Sequence, residues 1–201
     1  MDTEALHDLH DRCLAARQRF LQLAVRATPR ARIQELAERL GLAVADEFTQ
    51  VGEAELAYAH DLATFAAPPG RTRAIDRVVK QHALLQTEAA LVLNGLLRSW
   101  FSVFRVLAPH PDAGVVLEDV LLGGEAWLLD GELAEAAAQG AVIATRLARV
   151  QGFAMTCGVH AVMDEPMLAR IRGALGEDTD AEALAGDTRF VAAIWRHALQ
   201  T

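Results

Sequence analysis

The chain has 201 residues, 52% of them hydrophobic and 23% charged, a balance that buries a real core and excludes extended disorder. Its net charge is −8 and the acid is concentrated late: residues 1–99 carry 12 Arg and Lys against 13 Asp and Glu, residues 100–201 carry 7 against 14, so a phosphate backbone is repelled unless a local basic patch offsets the field. The opening "MDTEALHDLH" has neither the cationic start nor the apolar run of a secretory signal, and no stretch reaches the roughly 18 apolar residues of a membrane span; the expectation is a cytoplasmic protein with no membrane partner.

From Thr3 to Ala27, apolar residues at Leu6, Leu9, Cys13, Ala16, Phe20, Leu23 and Ala27 follow a three–four spacing that predicts one long helix. Thr28-Pro29 reads as a cap and first-turn pair for a second helix, which carries Ile33, Leu36, Ala37 and Leu40 and stops at Gly41. Residues 42–67 read as shorter helices interrupted near Gly52, with Leu56, Ala59, Leu62 and Ala63 inward, and "APPG" then forces a break. Two more helical stretches follow, one with Ile75, Val78, Val79, His82 and Leu85, the other with Ala89, Val92, Leu93 and Leu96 to about Arg98.

At Trp100 the period changes from 3.6 to 2. "WFSVFRVLA", the hairpin "GVVLEDVLLGGEAWLLDGEL" turning at Gly123-Gly124, and the pair "AVIATRLARV" and "FAMTCGV" joined at Gln151-Gly152 supply five short strands. A helical turn, "ELAEAAAQ", ends at Gly140 between the pairs. Helices return from about Asp164 to Leu175 and from about Asp187 to Leu199. The expected fold is α+β: an N-terminal helical half (1–99), a five-stranded antiparallel barrel-like unit (100–162) and C-terminal helices (163–201). Trp100, Phe101, Phe104, Trp127 and Phe153 are expected to fill the barrel rather than to stack bases, because residues 100–160 hold three arginines against seven acids.

"RTRAIDRVVKQH", "SWFSVFRV", "VVLEDVLLGGEAWLLD" and "GFAMTCGV", in that order over roughly residues 60–163, resemble a group of uncharacterised bacterial proteins. In that group a helical "aIDRy"-like motif precedes a small β unit with a "D-x-L-x-G-E" hairpin, sometimes near a zinc-binding SEC-C motif. Ile75-Asp76-Arg77 stand in the helical motif, and Asp119, Leu121, Gly123, Gly124 and Glu125 in the hairpin. The SEC-C cysteines and histidine are absent from this chain, so the resemblance implies the fold and neither a zinc site nor an activity.

No catalytic, metal or phosphate-binding motif emerges, and no cofactor is expected. His7, His10, Asp11 and Cys13 lie within two turns but lack a further histidine at matching spacing, and the histidines read as solvated surface residues. Residues 33–54 have the Ala37–Gly41 spacing of a helix-turn-helix, yet Glu47 falls where an apolar residue is needed and Asp46 and Glu53 oppose phosphate. Cys157 and His160 have no acid partner at motif spacing, and both cysteines, unpaired in any CxxC, read as buried small hydrophobes.

Two clusters carry interaction hypotheses. Arg71, Arg73, Arg77 and Lys80 follow the flexible "PPG" and could bind an anion or a nucleic acid, or Asp76 could pair locally with Arg73 or Lys80. Arg12, Arg19 and Arg26 recur every seven residues beside the apolar seam of the first helix, which includes Leu9 and Phe20, and Leu14, Leu21 and Val25 lie off that seam and widen the apolar surface; the stripe is either a solvated flank or a contact with an acidic surface. The leading expectation is a non-enzymatic interaction or regulatory protein that forms a homo-oligomer through this helix. An enzyme whose site assembles from distant residues stands last.

Overall fold

The computed structural model describes residues 3–42, 51–68, 70–82, 88–131, 133, 138–176 and 179–200. Helix α1 (Thr3–Arg26) buries Leu6, Leu9, Cys13 and Phe20 of the spacing read from the sequence, but beyond Phe20 the buried position is Ala24, with Leu23 half-buried and Ala27 exposed. Thr28 does not cap α2 (Arg30–Arg39): its hydroxyl donates back to the Ala24 carbonyl at 3.0 Å, and Pro29 takes the cap position. Gly41, at φ +85°, ends α2, and α3 (Glu53–Phe65) begins after Gly52, whose N–H donates to the Glu55 carboxylate at 2.7 Å. Glu47 and Asp46, on which the helix-turn-helix reading turned, lie outside the described residues, as do Leu85 and most of "ELAEAAAQ".

After α4 (Ala74–Gln81) and α5 (Glu88–Leu97) come β1 (Trp100–Pro109), β2 (Val115–Asp119), β3 (Glu125–Leu128), β4 (Val142–Val150) and β5 (Phe153–Val162). Three helices close the chain: α6 (Glu165–Ala174), α7 (Ala181–Gly186) and α8 (Thr188–Ala198). The short α7 is a feature the periodicity did not reveal; the Asp180 carboxylate starts it by accepting from the N–H groups of Glu182 and Ala183.

The strands follow the order β1–β2–β3–β5–β4, and β4 pairs in turn with β1, so the sheet closes on itself. Four pairings are antiparallel, and β3–β5, through Leu128 and Ala154, is parallel. The sheet is therefore mixed rather than wholly antiparallel. Parity explains the difference: directions cannot alternate around a ring with an odd number of strands, so one neighbouring pair must run the same way.

Strand alternation divides the apolar residues among three clusters. Phe104, Val106, Leu117, Leu128, Ile143 and Leu147 fill the inside of the ring. On its outside, Ala148, Val150, Phe153 and Met155 meet α1, α4 and α5, while Phe101, Val103, Ala144 and Ala161 meet α2, α3 and α6–α8. Of the aromatics expected to fill the ring, only Phe104 is buried inside it; Phe101 and Phe153 have the opposite parity and anchor helices instead. At Gly95, α5 lies flush on the sheet, since a Cβ there would be 2.5 Å from the Arg149 carbonyl.

Candidate functional site

Strand β5 departs from its ladder at one place. Thr145 pairs with His160 and Leu147 with Thr156, so Cys157, Gly158 and Val159 all lie opposite the single residue Arg146. Gly158 takes φ +125°, a conformation that side chains rarely adopt. The bulge leaves main-chain carbonyls outside the ladder, and side chains satisfy them. Arg17 Nη1 donates to the Thr156 carbonyl at 2.8 Å and to its hydroxyl at 3.1 Å, the Thr145 hydroxyl to the Val159 carbonyl at 2.7 Å, and the Tyr58 hydroxyl to the His160 carbonyl at 3.0 Å.

Residues of α1, α3 and this bulge line a cleft of about 570 Å³, within the range of small-molecule sites. Arg17, Gln18, Gln22, Arg26, Glu53, His60, Asp61 and Thr64 supply its polar lining, and Leu21, Val25 and Val159 part of its apolar wall. Arg17 Nη1 is pinned to Thr156, while its Nε is buried without a hydrogen-bond partner. Burial lowers the pKa of the guanidinium from its usual value and also that of the His60 imidazole, favouring the neutral ring. The same cause pushes the Cys157 thiol up to about 12, so it is protonated at neutral pH and a poor nucleophile. His160, the partner considered for it, is exposed while Cys157 is buried.

Under the cleft runs a buried polar spine. Asp61 accepts from Arg146 Nε at 3.3 Å and from the Trp195 indole N–H at 3.1 Å, which joins α3, β4 and α8. The Arg146 guanidinium also lies 4.6 Å from the Phe65 ring centre and 5.9 Å from that of Phe101. Asp119, the acid of the hairpin motif, is a second hub: its carboxylate accepts from Trp100 Nε1 at 3.0 Å, from the Ser102 hydroxyl, and from the N–H groups of Leu121 and Leu122. That arrangement ties β1 to the β2–β3 turn and leaves Asp119 a structural part.

A model of a family of unknown function, DUF7986, matches residues 18–174. The chain belongs to that family. The match takes in the bulge, the Asp119 hairpin and α2 to α6, and leaves out α7, α8 and Arg17. No curated protein and no solved structure matches the chain. The DUF7986 assignment agrees with the resemblance to uncharacterised proteins and brings no activity with it.

In the basic cluster, of the two readings offered by the sequence, local pairing of Asp76 is the arrangement found, and its partner is Arg73. Arg73 forks onto Asp76 at 2.7–3.2 Å and donates to the Leu97 carbonyl at 2.9 Å, and Arg77 donates to the carbonyls of Thr72 and Ala27. These bonds fasten α4 to its neighbours. Burial opposes ionisation of Asp76, but its bonds from Arg73 outweigh it and hold the carboxyl below the usual range. Arg71 and Lys80 are exposed.

The candidate interface residues also divide. Leu9 and Phe20 are buried in the chain's own core, where α4 and α5 cover the seam, and Leu14 and Leu21 pack partly against the same cluster. Arg12 pairs with Glu88 at 3.6 Å, while Arg19 and Arg26 are exposed, Arg26 at the cleft. His10, read from the sequence as a surface residue, is instead buried with its ring 6.1 Å from that of Phe153, whereas His7 and Asp11 are exposed. Among the described residues no group of three or more His, Cys, Asp or Glu side chains is placed to hold a metal.

Proposed function

We propose that this member of DUF7986 is a non-enzymatic binding module whose cleft between α1, α3 and the β5 bulge takes a small organic carboxylate with an apolar body. The observation that carries the reading is Arg17, a guanidinium fixed through one nitrogen to the bulge and left with a buried donor unpaired. A fixed guanidinium suits a carboxylate because its fork needs little reordering on binding. Leu21, Val25 and Val159 suit the apolar body. The high pKa of Cys157 and the desolvated His60 favour binding over nucleophilic chemistry.

The anion reading thus moves from the Arg71–Lys80 cluster, where Arg73 and Arg77 are engaged inside the chain, to Arg17. Self-association through α1 has narrower support, since Leu9 and Phe20 face inward and Arg12, Arg19 and Arg26 remain as its surface contacts. A cytoplasmic location and bacterial relatives with a nearby SEC-C motif stay part of the proposal; no helix among the described residues is long and apolar enough to cross a membrane.

Calorimetric titration with octanoate, octanol and octylamine tests the reading. Octanoate is expected to bind, with about tenfold loss, roughly 1.4 kcal/mol, in Arg17→Gln. Val25→Glu, which leaves the bulge contacts untouched, is expected to abolish binding. Equal affinity for octylamine, or heat from none of the three, overturns the assignment.

A further inference from the structure

A second groove, of about 930 Å³, runs between α2 and α8 and is closed by Ala67 and Pro68. Arg32 and Arg39 line its α2 wall and Arg189 and Arg196 its α8 wall. Within each pair the residues are seven apart, so each wall carries two cations about 10.5 Å apart at the α-helical rise. Arg32 and Arg39 share Glu35, at 2.7 and 3.1 Å. Arg196 donates to the main-chain carbonyl of Arg39, and Arg189 is exposed. Asp187 is the other acid of the groove, and it caps α8 by accepting from the Arg189 N–H at 2.7 Å. Four guanidiniums thus face two carboxylates in a chain whose net charge is −8.

We propose that this groove docks an acidic helical segment of a partner protein, with carboxylates repeating at three, four or seven residues. Two cations on each wall, two turns apart, match that repeat. Ala192 and Ala193 line the α8 side with minimal bulk, which lets a guest helix approach closely. Nucleic acid fits less well: its charges come about every 1.7 Å of duplex axis, far denser than these walls, and an extended polyanion would run from the groove onto an acidic protein. The groove is separate from the α1–α3 cleft, and this inference does not rest on the carboxylate reading.

The test is fluorescence anisotropy of the full chain at roughly physiological salt, where exposed charges are screened beyond about 8 Å. The probes are a fluorescein-labelled alanine-based helical peptide with glutamates at seven- and four-residue spacings, its glutamine counterpart, and an oligothymidylate of similar length. The glutamate peptide is expected to bind at least about tenfold more tightly than either control. Arg189→Glu, an exposed position, is expected to weaken it by a similar factor with unchanged circular dichroism, and Arg189→Glu/Arg196→Glu further. Equal binding of the glutamine peptide, full binding by Arg189→Glu, or tighter binding of the oligothymidylate overturns the proposal.

Discussion

Replacing Asp61 with alanine removes the acceptor that two buried donors share. The Asp61 side chain is 2% exposed and that of Arg146 12%, so solvent cannot replace the lost carboxylate. Removing one partner of such a pair costs about 3–5 kcal/mol, because the remaining charge stays desolvated. Trp195, fully buried, loses the partner of its indole N–H as well. At roughly 2–4 °C per kcal/mol for a chain of this size, the Tm is expected to fall by about 6–20 °C. Asp61→Asn keeps an acceptor for the indole and loses the charge, so its cost should be smaller. Asp61→Leu combined with Arg146→Met removes both charges, and should recover most of the loss. Urea unfolding followed by tryptophan fluorescence measures all three, with Arg146→Ala and Asp61→Ala/Arg146→Ala completing a double-mutant cycle. A cost for Asp61→Ala below about 1 kcal/mol, the range of exposed pairs, would refute the reasoning.

Gly114 has φ +75° and a Cβ there would lie 2.1 Å from the Leu128 carbonyl; Gly114→Ala should destabilise the chain by more than the roughly 1–3 kcal/mol of ordinary overpacking, read from the urea midpoint. Cys157, raised to about 12 by burial, should react with a disulfide reagent near pH 8 far more slowly in the native chain than in urea; because the unfolded thiol ionises first, folding stability should decline as pH rises from about 9 towards about 12, and Cys157→Ala should flatten that decline. His60, its pKa lowered by burial, makes the unfolded chain bind the extra proton, so stability should fall as pH drops below about 6.5, the unperturbed histidine value; His60→Gln should reduce the slope of Tm against pH. Asp119→Ala strands four donors and should speed amide exchange across β2 and β3 before the rest of the sheet, whereas uniform exchange would deny it a local role.

What the sequence made legible was whatever depends on near neighbours. Alternation from Trp100 onwards gave the strands, the Gly123-Gly124 pair gave the turn where φ is +78° and +85°, and the three–four spacing gave α1. The α7 helix escaped because six residues are too few to show a period. The spine escaped for a different reason: Asp61 lies 85 residues from Arg146 and 134 from Trp195, and no local pattern announces such a pairing. Arg17 did leave a trace. It falls four residues after Cys13 and three before Phe20, both fully buried, so a cation stands on the inward face of α1. The seven-residue rhythm of Arg12, Arg19 and Arg26 drew attention to the outer face instead. The arginine groove needed tertiary structure, since its two walls come from opposite ends of the chain.

The cleft's role is tested most directly by the Arg17 side-chain N–H resonance in a nitrogen-15 NMR titration with octanoate. Saturable displacement of Arg17 Nε–H, with shifts confined to the bulge, α1 and α3, is the predicted result. An unmoved Arg17 signal while octanoate shifts residues elsewhere would contradict it.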